Sequence, residues 1–296
     1  MNERIKAHIA VLLANIFFGI NYITIKLIVP SKLSAPALNV CRVVGSSALF
    51  WLLYSLKPSK SDIQTKDIPR FIACALLGVA LNQALFVKGL SLTSSIHASL
   101  LMLVTPILII FIAAWLLKER ITPLKIIGVI TGISGATILI LMKDVSHTAT
   151  NIVQGDMLVI SNATTYAFYL VLVRPLMRRY SAVHVIRWVF TISMFFMIPY
   201  GWHDLISTLW QNFSIGDWMC FAFVISGATF LAYLFNIYGV LHIGASATGS
   251  YIYTQPVFAA IIAMIFTGET YDWLKLSAAI LIFTGVYLAN YRPATN

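Results

Sequence analysis

GLSLTSSIHASLLMLVTPILIIFIAAWLLKERITPLKIIGVITGISG, residues 89–135, comes back 150 positions later as GVLHIGASATGSYIYTQPVFAAIIAMIFTGETYDWLKLSAAILIFTG, residues 239–285. In that register Gly89, Pro106, Ile112, Ala113, Glu119, Leu124, Lys125, Ile130 and Gly135 fall on Gly239, Pro256, Ile262, Ala263, Glu269, Leu274, Lys275, Ile280 and Gly285. Apolar residues agree easily by chance, but a mid-span proline, a glutamate closing the span and two glycines do not. An internal repeat in so apolar a chain points to a membrane protein made of two halves, an arrangement that commonly flanks a central substrate pathway.

Working outward, 59% of the 296 residues are hydrophobic and 10% charged, with a mean hydropathy of +0.87. That leaves too little polar surface to cover a water-soluble globule. About 20 mostly apolar residues are needed to cross the hydrocarbon core. On that measure ten spans are expected, near residues 6–28, 34–56, 69–90, 93–117, 123–142, 154–174, 182–202, 217–240, 245–267 and 273–291. Ser34 before Pro36, Asp67 before Pro69 and Thr122 before Pro123 follow the cap-then-proline order of a helix N-terminus.

The net charge of +10 follows topology rather than forming a groove-sized patch, so no nucleic-acid partner is expected. With the N-terminus in the cytoplasm, the inner side collects Arg4, Lys6, Lys57, Lys60, Lys66, Arg70, Lys118, Arg120, Lys125, Arg174, Arg178, Arg179 and Arg292. The outer side has only Lys26, Lys32, Lys88, Lys143 and Lys275, as the positive-inside rule requires. Both termini are then cytoplasmic. Trp51, Trp115, Trp202, Trp218 and Trp273 fall near span ends, where an amphipathic ring suits the interface. Cys41, Cys74 and Cys220 are isolated and read as small core residues rather than disulfides or ligands. Asn15 interrupts the first apolar run and no small-residue cleavage site follows, so an uncleaved first span is expected. Asn212-Phe213-Ser214 is a sequon in an outer loop and has meaning only in a glycosylating host.

Five spans per half is odd, so the second half enters the membrane from the opposite side and the repeat is inverted. Residues 1–143 and 154–292 are the expected repeats. Two similar halves packed in opposite senses have two nearly equivalent packings that open to opposite sides. Pro106 and Pro256 each remove a backbone hydrogen bond in mid-span, either as a pair of gating hinges or as static bends needed for packing. The stretches between spans leave no room for a soluble domain, and no G-x-x-x-x-G-K-[ST] loop is present, so neither ATP nor an ATP-binding partner is expected.

The run from Gly89 through Ser99, Pro106, Lys118-Glu119-Arg120, Gly128 and Gly135, with its echo from Gly239 through Pro256, Gly268-Glu269 and Gly285, resembles the EamA family of the drug/metabolite transporter superfamily. The resemblance covers nearly the whole chain as two tandem repeats. Thr270-Tyr271-Asp272 departs from it by replacing the basic residue and proline of the first copy. Asn15 with Phe18-Gly19 stands where members often carry a tryptophan before the glycine. The resemblance implies ten helices, a cavity lined by helices 1, 3, 4, 6, 8 and 9, and export or uptake of small metabolites.

Polar side chains within spans are costly unless partnered or facing water, so their spacing carries information. Ser226, Thr229, Tyr233 and Asn236 share one face of helix 8; Asn162, Tyr166 and Tyr169 share one face of helix 6; Thr248, Tyr251 and Gln255 share one face of helix 9. Helix 1 offers Asn15 and Tyr22, helix 2 Asn39, Arg42 and Ser46, and helix 3 Asn82 and Gln83. Each stripe either lines a cavity or joins helices by hydrogen bonds. The tyrosines and amides near span centres are assigned to a substrate cavity. His97, in the first turns of helix 4, joins them as a pH-sensitive or substrate-contacting group, against a packing role. Arg42 either attracts an anionic group or serves structure by snorkelling. Glu119 and Glu269 are read as structural helix-end residues. Gly128, Gly132 and Gly135 in helix 5 suit close helix packing.

All ten acidic residues fall outside the apolar span centres, so gradient-driven facilitation or exchange competes with proton antiport. The expectation is therefore an all-α, ten-helix, multi-pass transporter of the inner membrane, a monomer or homodimer with no cofactor. It moves a small neutral or zwitterionic metabolite, such as an amino acid or aromatic compound, by alternating access, in the export direction. Rival readings are an organic-phosphate or nucleotide-sugar carrier, which wants more buried cations than Arg42, an intramembrane lipid-modifying enzyme, which wants an acid-base or metal constellation, and a membrane adaptor with sealed stripes.

Overall fold

The computed structural model describes residues 3–56, 63–117, 123–141, 151–266 and 273–290, and all regular structure among them is helical. In chain order the elements are α1 (Glu3–Ile28), α2 (Ala35–Leu56), α3 (Thr65–Leu92), α4 (Ser95–Leu116), α5 (Pro123–Leu141), α6 (Ile152–Met177), α7 (Ala182–Ile206), α8 (Ile215–Ile243), α9 (Ala247–Phe266) and α10 (Trp273–Asn290). Among the described residues eight helices, α1–α4 and α6–α9, are long and apolar enough to cross a membrane. Glu119 and Glu269, like Thr122, lie outside the described residues.

Local chemistry sets the ends. Ser34 accepts from the Ala37 N–H, Ser94 from His97, Asn151 from Gln154 and Ser181 from His184, and Ser214 with Asp217 forms a full capping box ahead of α8. Each such cap contributes about 1 kcal/mol. Asn151 explains why α6 starts two residues before the expected 154. α8 likewise outlasts its expected end at 240 and stops only at Gly244, whose φ of +85° is one that glycine adopts without strain. Asp67 differs from its expected capping role. It makes no capping bond; its carboxylate accepts from Arg179 at 2.6 Å and from the Tyr180 hydroxyl at 2.9 Å, because the turn between α6 and α7 brings stronger donors to it.

Packing runs between the two halves of the sequence. α1 lies against α8 and α9, α6 against α3 and α4, α2 against α7, and α5 against α10. Glycine permits the last pair: a Cβ on Gly285 would overlap the backbone of Gly128 and Gly132. Large apolar side chains point outward all round, including Leu52, Trp115, Phe195, Ile215 and Trp273. Many amides and hydroxyls are turned inward, among them Asn15, Asn39, Gln83 and Thr229. Such a surface suits hydrocarbon as solvent, with the polar groups gathered inside.

Irregularities recur in equivalent places. α3 carries a π-helical segment at Leu76–Ala80 and α8 one at Ser226–Leu231. α4 carries a 3₁₀ segment at Met102–Val104 and α9 one at Tyr251–Thr254. The second pair has a cause in the sequence: Pro106 and Pro256 cannot donate to the carbonyls of Met102 and Ile252, and the chain tightens over the residues just before. Charged contacts recur too. Asp67 pairs with Arg179, while Asp217, 150 positions on, lies 3.6 Å from Lys32. Lys32 precedes α2 and Asp67 follows it, so the two contacts sit at opposite ends of a 22-residue helix, roughly 33 Å apart along its axis.

Candidate substrate cavity

Between the halves lies a narrow cavity of about 60 Å³, room for a few water molecules. α1 gives it Phe18, Asn21 and Tyr22, α2 gives Arg42, and α3 gives Asn82, Gln83 and Phe86. Met102 comes from α4, Asn162 and Tyr166 from α6, Tyr233 from α8, and Ile252 and Gln255 from α9. Met102 and Ile252 are the carbonyl residues opposite the two prolines, so the paired 3₁₀ breaks face the cavity from both halves. The resemblance implied six lining helices; α2 is a seventh.

Three hydrogen-bonded clamps hold the walls. Tyr22 donates to Gln255 Oε1 at 3.1 Å, and Gln255 Nε2 donates to Asn15 Oδ1 at 2.7 Å, tying α1 to α9. Asn82 and Asn162 donate to each other's backbone carbonyls at 3.2 and 2.8 Å, tying α3 to α6. Asn236 donates to the Tyr166 hydroxyl at 2.7 Å, and Tyr233 donates to the Gly78 carbonyl at 3.0 Å. That carbonyl lies inside the α3 π segment, where the i→i−4 ladder is interrupted and a carbonyl can turn outward. Gly78 has no room for a side chain, because a Cβ there would overlap the Tyr169 ring.

The residues expected at the cavity thus have several fates. Tyr22, Asn82, Gln83, Tyr166, Tyr233 and Gln255 line it, and Asn15 and Asn236 stand behind as hydrogen-bond partners of lining residues. Tyr169 is buried under Gly78, beside Tyr166. Tyr251 is bonded to His8 at 2.8 Å near the start of α1, roughly 20 Å along that helix from Tyr22. His97, expected at the cavity, is fully buried against Asp156, with Nδ1 at 3.0 and 2.8 Å from the two carboxylate oxygens, and Thr93 donates to the same carboxylate at 2.7 Å. It bridges α4 to α6 away from the cavity lining. Asp156 is one of the ten acids expected outside the apolar span centres; its burial follows from Gly89 and Gly155, which let α3 and α6 approach closely enough for a Cβ on Gly155 to meet the Thr93 backbone at 2.8 Å.

Arg42 is the one ionic group in the lining among the described residues. It is 3% exposed, and its Nε donates to Thr229 Oγ1 at 3.0 Å. Thr229 donates in turn to the Val224 carbonyl at 2.6 Å across the α8 π segment, so the threonine is held with its oxygen toward the arginine. Nη1 has no hydrogen-bond partner.

A polytopic helical protein with a polar and aromatic cavity between two similarly built halves is of the membrane-carrier class. The EamA-like transporter family model matches residues 5–141 and again residues 153–291, and the chain belongs to that family. It is a multi-pass membrane transporter. Among curated proteins it is 25% identical to uncharacterized transporter YyaM of Bacillus subtilis, over 82% of this chain and 79% of that one. It is 25% identical to a WAT1-related protein of Arabidopsis thaliana over 97% and 85%. It is 24% identical to the "Probable terminal-alkyne amino-acid exporter" of Streptantibioticus cattleyicolor over 77% and 75%. A crystal structure 16% identical in sequence superposes with a TM-score of 0.66, covering 95% of this chain and 96% of that one, which speaks to the fold alone.

Proposed function

We propose that this chain is a ten-span secondary carrier of the inner membrane, made of two inverted five-helix repeats, that exports a small metabolite such as an amino acid or aromatic compound through the central cavity by alternating access. The observation that carries the reading is the cavity itself. It lies where α1, α2, α3 and α4 meet α6, α8 and α9, and the Tyr22–Gln255, Asn82–Asn162 and Tyr233–Gly78 contacts join the two halves. The two charged contacts at opposite ends of α2 support the inversion, since equivalent positions of inverted repeats fall on opposite faces of the membrane. A relative named as an amino-acid exporter supports the substrate class and the direction. Asn82, Gln83, Tyr166, Tyr233 and Gln255 are the proposed contacts, with Asn15 and Asn236 positioning them. Pro106 and Pro256 are proposed as the hinges about which the outer parts of α4 and α9 swing.

The test is flux in proteoliposomes loaded with labelled amino acids and aromatic metabolites. Tyr233→Ala and Asn236→Ala are expected to lower initial rates on the order of tenfold, the loss of one or two buried hydrogen bonds. Parent-like rates in both variants would remove these residues from the site.

A further inference from the structure

Resting on the carrier reading, we infer that the cavity recognises a carboxylate, and that Arg42 is its anchor. The substrate class is a monoanionic acid with an aromatic or branched apolar body, for which a free ammonium group is not required.

A guanidinium stays protonated at any physiological pH, so Arg42 places a full positive charge inside the membrane domain. Burying a charge is expensive unless it is paired. The protein supplies Arg42 with one neutral oxygen, from Thr229, and no carboxylate within ion-pair distance among the described residues. The acidic side chains that are buried have other partners: Asp67 holds Arg179 and Tyr180, and Asp156 holds His97 and Thr93. Nη1 is enclosed, without a hydrogen-bond partner, in a residue that lines the cavity. Fixing Nε on Thr229 leaves the guanidinium edge for a second acceptor, and a guanidinium edge matches the two oxygens of a carboxylate.

Charge count separates the candidate anions. One cation balances one negative charge, so a monocarboxylate leaves the cavity neutral, while a phosphate dianion leaves an unbalanced charge with no second lysine or arginine in the lining. Among the described residues no carboxylate lines the cavity to receive an ammonium group, so the amino group of a zwitterion has amide oxygens, tyrosine hydroxyls and ring faces to meet. The body of the ligand is set by Phe18, Tyr22, Phe86 and Tyr166, which form an aromatic wall.

The experiment uses purified protein and a series of monocarboxylates, from acetate through 2-methylpropanoate to 3-phenylpropanoate, each beside its amide, with phenylalanine and phenethylamine as further probes. Thermal stability against ligand concentration gives apparent affinities. The acids with branched or phenyl bodies are expected to bind on the order of 10- to 100-fold more tightly than their amides, the worth of a charged hydrogen-bonded contact. 3-Phenylpropanoate is expected to bind at least as well as phenylalanine, and phenethylamine at the level of the amide. Arg42→Gln is expected to bring acid down to the level of amide while leaving amide binding unchanged, and Arg42→Lys to keep part of the preference. The Lys variant and unchanged amide binding separate loss of the contact from loss of the fold. A series in which no acid outperforms its amide, or an Arg42→Gln protein that keeps the preference, ends the carboxylate assignment. The carrier reading is judged separately by flux, so its failure and this one are told apart.

Discussion

Arg42 and Arg187 are both buried, on α2 and α7, which pack against each other, yet they are housed in opposite ways. Arg187 is wrapped in rings. Its guanidinium carbon lies 3.3 Å from the Tyr54 ring centroid, 4.6 Å from Trp51 and 5.5 Å from Trp188, and Nη2 is 3.1 Å from His184 Nδ1. Aromatic faces offset part of the cost of removing the charge from water. Among the described residues Arg42 has no ring stacked over its guanidinium; its surroundings are a threonine oxygen, the neighbouring Tyr233 and the cavity. The difference teaches how to sort buried charges in a transporter. Each arginine keeps one buried N–H without an acceptor, Arg187 at Nε and Arg42 at Nη1, but a cation covered by the protein's own rings holds helices together, while one beside a cavity is kept for something that arrives.

The first way to break the comparison is to neutralise each arginine. Arg42→Gln is expected to reduce flux of a carboxylate substrate on the order of 100-fold, the effect of truncating one partner of a buried charged contact, with little change in melting temperature. Arg187→Gln is expected to do the reverse, lowering stability by about 2 kcal/mol while transport survives. Rates in proteoliposomes and thermal denaturation in detergent measure both, and matching phenotypes would erase the distinction. A smaller effect sharpens the Arg42 side. Thr229→Val keeps the volume but removes the oxygen that holds Nε, and is expected to raise the apparent Kd for the acid about 5-fold while the amide is unaffected. Smallest is Tyr54→Leu, which takes away the ring nearest Arg187 and is expected to cost about 1 kcal/mol of stability and nothing in flux.

Much of this was legible from residue order alone. The repeat in residues 89–135 and 239–285 announces two matched halves, and the stripes on α6 and α8 pick out Tyr166, Tyr233 and Asn236 because helical spacing fixes which residues share a face. Pro106 and Pro256 mark the 3₁₀ breaks because a proline has no N–H for the carbonyl four residues back. What spacing cannot give is the partner across a helix interface. Tyr251 belongs to the right stripe but meets His8, and His97 looks solitary until α3 and α6 close over glycines and bring in Asp156. The π segments in α3 and α8 have no sequence mark of comparable strength, since they arise where Tyr169 presses on Gly78 and where Thr229 reaches back to Val224. Arg42 was open to two readings for a similar reason: whether a buried cation is covered depends on rings and carboxylates from distant helices.

The central claim is that the cavity between the halves is a path open by turns to either side of the membrane. The most direct measurement places a cysteine at Tyr233 in a chain whose Cys41, Cys74 and Cys220 are replaced, and follows its reaction with a membrane-impermeant thiol reagent in right-side-out and inside-out vesicles. The account predicts labelling from both sides, slowed by 3-phenylpropanoate in each. A cysteine that reacts from neither side, in a protein that still folds, would contradict it and make the cavity a sealed packing space.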